Sequence, residues 1–327
     1  MPDRALRIPS KRLVAAILLT AFSLLSHATS ACAQTEKQLV ILDSDIGDDI
    51  DDAFALALAE NSPEFKILGV TTAFGDTSLR AQLAVHFLEA TGHANIPVAA
   101  GVPTPPRTRF TQANYAAGGD KRKIQPLAAP DFLLDQIHKH PGQITLIAIG
   151  PLTNLAAAID KDPATFRRLK RIVMMGGSID SGYDHHPHPD AEWNIVCDIP
   201  AAKKVFASGV PLYIMPLDST ILKMDEPKRK ALFAQSTALS TALQELYREW
   251  AQPTPTLFDA MAVAYAAQPG LCPTTPLHLT IDDKGFTRRT SGPPNANACL
   301  HSSEADFFHF YLSRTAPEHS QPAASRK

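Results

Sequence analysis

The sequence has few cysteines and almost no net charge, and each shortage excludes a class of protein. Its 327 residues include 4 cysteines, with no CxxC pair and no cysteine–histidine spacing typical of zinc sites. The formal net charge is −2, so nothing indicates a nucleic-acid partner. The composition, 45% hydrophobic and 20% charged, is that of an ordinary globular protein.

An apolar run near the N-terminus is too short to be a comfortable membrane span. Residues 13–25, "LVAAILLTAFSLL", follow four basic residues, and the small residues "ACA" end at Ala33. This order predicts a signal peptide over residues 1–33, cleaved near Ala33, and an exported protein, periplasmic or secreted, without a stable membrane span after processing. A single membrane anchor and a lipoprotein modified at Cys32 stay open as alternatives.

Export permits disulfide bonds, but the cysteine count limits them. The mature chain would keep Cys197, Cys272 and Cys299, so at most one internal pair forms. Cys272 and Cys299 flank a hairpin-like segment, residues 276–292, and could pair. Three unpaired thiols are the alternative.

Strand-like and helix-like segments alternate along the rest of the chain. Runs such as "LVILD", "ITLIAIG" and "RIVMMGG" are rich in Val, Ile and Leu, and alanine- and leucine-rich helical patterns follow them. This alternation predicts an α/β fold with a largely parallel sheet covered by helices on both faces. We predict one domain over residues 38–315 and a disordered tail over residues 316–327.

An acid-rich loop follows the first predicted strand. In "DSDIGDDIDD", residues 43–52, six of ten residues are aspartate. Helix capping explains one or two of them, such as Asp51 and Asp52, but not Asp43 and Asp45, which lie on one face at the strand end. Converging carboxylates repel each other unless a cation joins them, and oxygen ligands favour calcium or magnesium. The loop therefore predicts a metal site.

Two other acidic motifs fit this loop poorly. An EF-hand needs glycine at position six and glutamate at position twelve, whereas counting from Asp43 places glycine fifth and Phe54 twelfth. Dehalogenase-type phosphatases have DxDx followed by Thr or Val, and here Gly47 takes that place.

Polar residues also follow the other predicted strands. Asp76 ends "FGD", Glu192 and Asn194 lie in "AEWN" beyond "RIVMMGG", and Asp259 begins a helix in "FDAMAVA". Since ligands bind outside the carboxyl ends of parallel strands, these loops are expected to form one site.

Together these motifs resemble the inosine-uridine preferring nucleoside hydrolases. That family has an N-terminal DxDxGxDDAxAL, which appears here with two extra residues, and "GPLTNLAAAI", "MMGG", "AEWNI" and "FDAMAVA" follow in order. The resemblance implies the Rossmann-like nucleoside hydrolase fold, with a mostly parallel, mixed central sheet flanked by helices. It also implies calcium-dependent hydrolysis of ribonucleosides to ribose and free base, and a homodimer or homotetramer.

The resemblance also implies roles for single residues. Asp45 would act as general base on a calcium-bound water, and Asp259 would share in catalysis. The two extra residues leave open whether Asp49 or Asp52 is the main ligand from the first loop. The implied metal ligands are Asp45, Asp49, Asp52, Asp259 and the main-chain carbonyl of Ile149. The implied substrate-binding residues are Asp51, Asp76, Met174, Glu192, Asn194 and Asp259.

The chain departs from the family where a leaving-group acid is expected. Phe258 stands where many relatives have a histidine, Asp76 replaces an asparagine, and Gly182-Tyr183 replaces Gly-Asn. A solvated loop without a catalytic role is the alternative to a replacement acid in "SGYDHHPHPD". Candidate acids are His185, His186, His188 and Tyr183. Two other functions stay open: a calcium-dependent nucleoside- or ribose-binding protein that has lost catalysis, and a dehalogenase-type phosphatase.

Overall fold

An eight-stranded mixed sheet organises residues 36–316, the part of the chain that the structure, a computed structural model, describes. The predicted signal peptide and residues 317–327 of the predicted tail lie outside the described residues. The strands are β1 Gln38–Ser44, β2 Phe65–Thr72, β3 Val98–Ala100, β4 Ile144–Ile149, β5 Arg171–Met175, β6 Leu212–Met215, β7 Thr275–Leu277, β8 Leu279–Ile281, β9 Thr287–Arg289 and β10 Ala296–Ala298.

Helices cover both faces of the sheet. They are α1 Asp51–Glu60, α2 Thr77–Ala90, α3 Ala113–Ala116, α4 Ala129–Lys139, α5 Thr153–Lys161, α6 Pro163–Phe166, α7 Trp193–Val196, α8 Ile199–Phe206, α9 Leu217–Thr220, α10 Glu226–Phe233, α11 Ala238–Trp250, α12 Ala260–Ala267 and α13 Glu304–Thr315. Short 3-10 turns span Lys121–Lys123, Tyr183–His185 and Pro269–Leu271.

The strand order is β3-β2-β1-β4-β5-β6-β10-β7. Every pairing in this sheet is parallel except that of β7 with β10, and β8 and β9 form a separate antiparallel pair. The predicted mostly parallel, mixed sheet flanked by helices is therefore confirmed. The carboxyl ends of β1, β2, β4 and β5 meet at one edge of the sheet, where the acid-rich loop begins.

Side-chain alternation along the strands divides the core into two layers. In β1, Val40 and Leu42 pack with α1, α2, α11, α12 and α13, whereas Ile41 packs on the opposite face with α4, α5 and α8. Because successive strand residues point to opposite faces, an apolar run such as "LVIL" can fill both layers.

The sequence patterns did not predict several of the later elements. Helix α10 is strongly polar, "EPKRKALF", and β7 and β10 have only three residues each. Neither kind of segment gives a clear periodic apolar signal.

Of the two alternatives for the cysteines, the structure has the disulfide. Cys272 and Cys299 are bonded, with Cα atoms 5.6 Å apart, and join the turn after α12 to the end of β10. Cys197 is a free thiol.

Among the described residues, no helix has both the length and the apolar character needed to cross a bilayer.

Candidate active site

The acid-rich loop lies at the floor of a cavity of about 460 Å³ at the carboxyl edge of the sheet. The side chain of Asp43 lies beneath this floor and accepts hydrogen bonds from Thr71 and Asn154, which tie β1 to β2 and α5. Burial raises the pKa of Asp43 to about 6. Asp43 therefore supports the strand ends and is not part of the cavity lining.

Three carboxylates form the densest part of the floor. Asp51 and Asp52 begin α1 and Asp259 precedes α12, and one oxygen from each lies within 4.8 Å of the others. All three are nearly inaccessible, at 5%, 3% and 4% exposure. Burial, reinforced by the charges of neighbouring aspartates, raises all three pKa values well above the usual range.

Few donors neutralise this cluster. Asp52 accepts a hydrogen bond of 2.6 Å from the Ser44 hydroxyl, and Asp51 accepts a long one, 3.4 Å, from the main-chain N–H of Asp259. The guanidinium of Arg80 opposes the rise in the pKa of Asp52, but its effect is smaller than those of the neighbouring aspartates and of the Ser44 bond. Arg80 itself pairs with Asp48 at 2.8 Å. An all-oxygen, buried and under-neutralised donor set suits a hard divalent cation, so these residues fit the implied metal.

Asp45 borders the cluster at the end of β1. It is 7% exposed, and burial raises its pKa to about 7 against the opposing charge of Arg80. A Cβ built on Gly150 would lie 2.9 Å from the Asp45 carboxylate, so β4 packs closely beside it. Ile149, whose carbonyl the resemblance implies as a ligand, also lines the cavity.

Gly47 and Asp48 attach the first loop to the segment after β3. Asp48 accepts from Thr108 and Arg80, and the carbonyl of Gly47 accepts from the main-chain N–H groups of Thr111 and Gln112. Gly47 has φ 128°, and an added Cβ would lie 2.3 Å from the Phe110 ring, so a larger residue would push this segment away.

Asp49 lines the cavity but does not belong to the cluster of three. Its carboxylate accepts a hydrogen bond of 2.7 Å from the N–H of Ile50. Although Asp49 as a residue is exposed, desolvation of its carboxylate raises the pKa, and the hydrogen bonds from Ile50 and from the Trp250 indole oppose this shift. The first loop therefore contributes Asp51 and Asp52, and not Asp49, to the cluster of three carboxylates.

Glu192 and Asn194 form another wall of the cavity. Glu192 caps α7 by accepting from the N–H groups of Asn194 and Ile195 at 2.9 and 3.3 Å, and it also accepts from the N–H of Gly177 at 2.8 Å. Burial raises its pKa to about 7. The Asn194 amide donates to the Met175 carbonyl at 3.2 Å. Both side chains are thereby held in place, which suits groups that position a substrate.

The structure corrects two of the predicted substrate-binding residues. Met174 lies in the core on the other face of the sheet, whereas Met175 lines the cavity, because neighbouring strand residues alternate in direction. Asp76 is exposed and caps α2 by accepting from the Leu79 N–H at 3.0 Å; it does not line the cavity.

The histidine-rich loop turns away from the cavity. His185, His186 and His188 are exposed and absent from the cavity lining, so the structure does not support them as leaving-group acids. Tyr183 does line the cavity, and its hydroxyl oxygen accepts from the main-chain N–H of Trp193 at 3.1 Å, which leaves the hydroxyl proton free. Burial and the charge of Glu192 raise the pKa of Tyr183, which makes it a poor acid.

Aromatic rings and one cation form the remaining wall. Phe258 packs edge-on against Tyr183 with ring centres 6.1 Å apart, and Trp193 and Trp250 lie in the same wall. Thr108, Arg109 and Thr111 join it from the segment after β3, and the sequence reasoning missed them. The rule that ligands bind beyond strand ends also applies to β3 and indicates the segment after it, but not which of its residues face the cavity.

The comparisons with known proteins agree with this geometry. The family model "Inosine-uridine preferring nucleoside hydrolase" matches residues 40–309. The chain belongs to the inosine-uridine preferring nucleoside hydrolase family. This family consists of hydrolases acting on N-glycosyl compounds, so the predicted family and enzyme class are confirmed, and the phosphatase alternative loses its support.

Individual nucleoside hydrolases resemble the chain to different extents. It is 36% identical over 199 residues to "Probable uridine nucleosidase 2" of Arabidopsis thaliana, covering 57% of this chain and 61% of that one. It is 31% identical over 268 residues to "Pyrimidine-specific ribonucleoside hydrolase RihB" of Escherichia coli strain SE11, covering 76% and 84%. The solved plant nucleoside hydrolase PpNRh1 superposes with a TM-score of 0.77 at 25% identity, covering 86% of this chain and 100% of that one.

Proposed function

We propose that the protein hydrolyses the N-glycosidic bond of ribonucleosides, in a calcium-dependent reaction, to give ribose and free base. The observation that carries this proposal is the buried group of Asp51, Asp52 and Asp259 at the floor of the cavity, in a member of this family. The names of two relatives, a probable uridine nucleosidase and a pyrimidine-specific hydrolase, make pyrimidine ribonucleosides the first substrates to test.

The proposed calcium donors are the carboxylates of Asp45, Asp52 and Asp259 and the carbonyl of Ile149, with Asp51 in the same cluster. A bound calcium would orient the attacking water and the ribose hydroxyls and offset the mutual repulsion of the carboxylates. Asp49 is the weaker candidate, because it lies outside the cluster of three.

The side chains of the floor have separate tasks in the proposed reaction. Asp45 takes a proton from the attacking water as the oxygen bonds to C1′ of the ribose. The bond from C1′ to the base nitrogen breaks, and its electron pair leaves with the base. The surrounding carboxylates stabilise the positive charge that develops on the sugar.

The wall beside the floor holds the sugar. Glu192, Asn194 and Asp51 are proposed to accept from or donate to the ribose hydroxyls, because their side chains are buried, fixed and directed into the cavity. Fixing the sugar keeps C1′ in line with the water, which accounts for a large part of the rate gain in such reactions.

The experiment is a time course of free base and reducing sugar from uridine, cytidine, inosine and adenosine, with purified mature protein. We expect equal amounts of base and ribose, loss of activity after chelation, recovery with calcium, and one calcium per chain by metal analysis. If no nucleoside yields free base, the protein is a binding protein at most. Base release that continues after chelation would support the hydrolase activity but contradict its dependence on calcium.

Location and assembly are further parts of the proposal. We propose that the protein acts outside the cytoplasm after cleavage near Ala33, and the Cys272–Cys299 disulfide supports an oxidising compartment. A homodimer or homotetramer is proposed from the family resemblance alone, and light scattering of the purified protein tests it.

A further inference from the structure

Negatively charged side chains far outnumber positively charged ones in the lining of the cavity. Seven carboxylates line it: Asp45, Asp48, Asp49, Asp51, Asp52, Glu192 and Asp259. Among the described lining residues, Arg109 is the one cationic side chain, and no lysine or histidine accompanies it. Asp48 is paired with Arg80 at 2.8 Å, whereas the described residues include no ion-pair partner for Arg109. Its guanidinium is therefore available to a ligand.

Asp48 of the first loop holds the segment that carries Arg109 at the cavity. Thr108, immediately before it, donates to Asp48, and Thr111 donates through its hydroxyl to the Asp48 carbonyl at 2.7 Å. Between them, the Phe110 ring lies over the Arg80 guanidinium, 5.3 Å from its centre. The backbone on both sides of Arg109 is thus attached to the first loop.

The base of a bound nucleoside must lie on the same side as Arg109. Carboxylates occupy the floor, and Glu192 and Asn194 form the wall beside it, where the ribose is proposed to bind. The lining away from these groups includes the aromatic wall of Tyr183, Trp250 and Phe258, together with Arg109. A base that covers this wall excludes water from it, which strengthens its interaction with the guanidinium.

This side of the cavity has no evident proton donor for the departing base. Phe258 occupies the position where the resemblance leads us to expect a histidine, and the three loop histidines are outside the lining. Tyr183 is a weaker acid than usual, because burial and the charge of Glu192 raise its pKa. When the bond to C1′ breaks without protonation, the electron pair leaves a negative charge on the base. A guanidinium stabilises that charge without giving up a proton.

We propose that Arg109 is a catalytic residue that stabilises the negative charge on the departing base, in place of a general acid. The inference rests on the proposed function. The water proton goes to Asp45, the oxygen bonds to C1′, and the base leaves as an anion held by Arg109 and then takes a proton from solvent. Bases that carry negative charge well, such as pyrimidine-2,4-diones, are the favoured class.

The test compares Arg109→Ala and Arg109→Lys with the unchanged protein on three substrates. In the order uridine, 5-fluorouridine and p-nitrophenyl riboside, the leaving group departs more and more readily. We expect Arg109→Ala to reduce kcat/KM for uridine by about 10²–10³, as for removal of one charge-stabilising donor. The loss should be smaller for 5-fluorouridine and under about threefold for p-nitrophenyl riboside. Arg109→Lys should regain part of the lost rate, and added guanidinium should partly rescue Arg109→Ala on uridine.

Arg122→Ala is the matched control, because it removes a guanidinium that is 90% exposed and outside the cavity lining. Equal losses on all three substrates, or a loss no greater than that of Arg122→Ala, would overturn the proposal. So would a loss confined to uridine 5′-phosphate, since Arg109 would then bind a phosphate. If the unchanged protein cleaves none of these ribosides, the proposed function itself fails, and this result is distinct from the others.

Discussion

The floor and the aromatic wall of the cavity are built differently. The floor consists of carboxylates at strand ends and helix starts, such as Asp45, Asp52 and Asp259, with at most 7% exposure. The wall consists of side chains from loops and from the end of α11, such as Arg109, Tyr183 and Trp250. The floor depends on the fold as a whole, whereas the wall can change without altering the sheet. We therefore expect the floor to determine the reaction and the wall to determine which base is accepted.

The largest expected effect comes from the floor. Asp45→Asn should reduce turnover by about 10²–10⁴, the usual contribution of a general base, for every base alike. The assay should use saturating calcium, because the substitution also removes a proposed donor. Turnover close to that of the unchanged protein would remove Asp45 from the role of base, and a loss for one base only would contradict the division between floor and wall.

The loop that carries the floor depends on a buried arginine. Arg80, 2% exposed, donates to the carbonyls of Asp45, Ile46 and Phe74 and to the carboxylate of Asp48. Arg80→Met leaves these acceptors and a partly buried charge unpaired, so we expect a loss of about 3–5 kcal/mol in the free energy of unfolding.

Urea unfolding with the disulfide intact measures this loss. Arg122→Met is the control, because its pair with Asp120 is exposed to solvent, so its loss should change the free energy of unfolding little. If both substitutions cost the same, Arg80 does not organise the loop. Asp48→Asn together with Arg80→Met should cost less than the sum of the two single changes, since the two residues share one interaction.

A pair of substitutions compares the floor side with the wall directly. Asn194→Ala should weaken kcat/KM by a similar factor, about tenfold, for all bases, because losing one hydrogen bond to the sugar costs about 1–1.5 kcal/mol. Trp250→Ala removes a ring against which a base can stack, and it should cost about 1–3 kcal/mol, with a different value for purines and pyrimidines. If Asn194→Ala instead weakens kcat/KM by different factors for different bases, Asn194 contacts the base and not the sugar.

Most of the sheet and the floor could be predicted from sequence, because both rest on local patterns. Apolar strands, polar strand ends and the aspartates after β1 are contiguous signals, and they led to Asp45, Asp51, Asp52 and Asp259. The wall depends on contacts between distant segments, such as Asp48 with Thr108. No periodic pattern marks such a contact, so Arg109 was missed.

The wrong predictions for Met174 and for the histidine-rich loop also have local physical causes. Met174 and Met175 are adjacent in sequence, and only the register of β5 determines which one faces the cavity. The histidines of the 182–190 loop are chemically suited to act as acids, but the turn at Tyr183–His185 directs them outward. In that turn Asp184 and His185 have φ values of 53° and 59°, which short polar side chains tolerate.

The smallest expected effect concerns these histidines. Replacing His185, His186 and His188 together with asparagine should change kcat/KM for uridine by less than about twofold, because exposed side chains outside the cavity lining neither touch the base nor shift its charge. The comparison with p-nitrophenyl riboside makes the result decisive, since this leaving group needs no proton. A loss of about tenfold or more for uridine alone would place an acid in this loop, which general acid catalysis can supply only after the loop closes over the base. An equal loss on both substrates would instead show that the loop shapes the wall, and Arg109 would keep its proposed role.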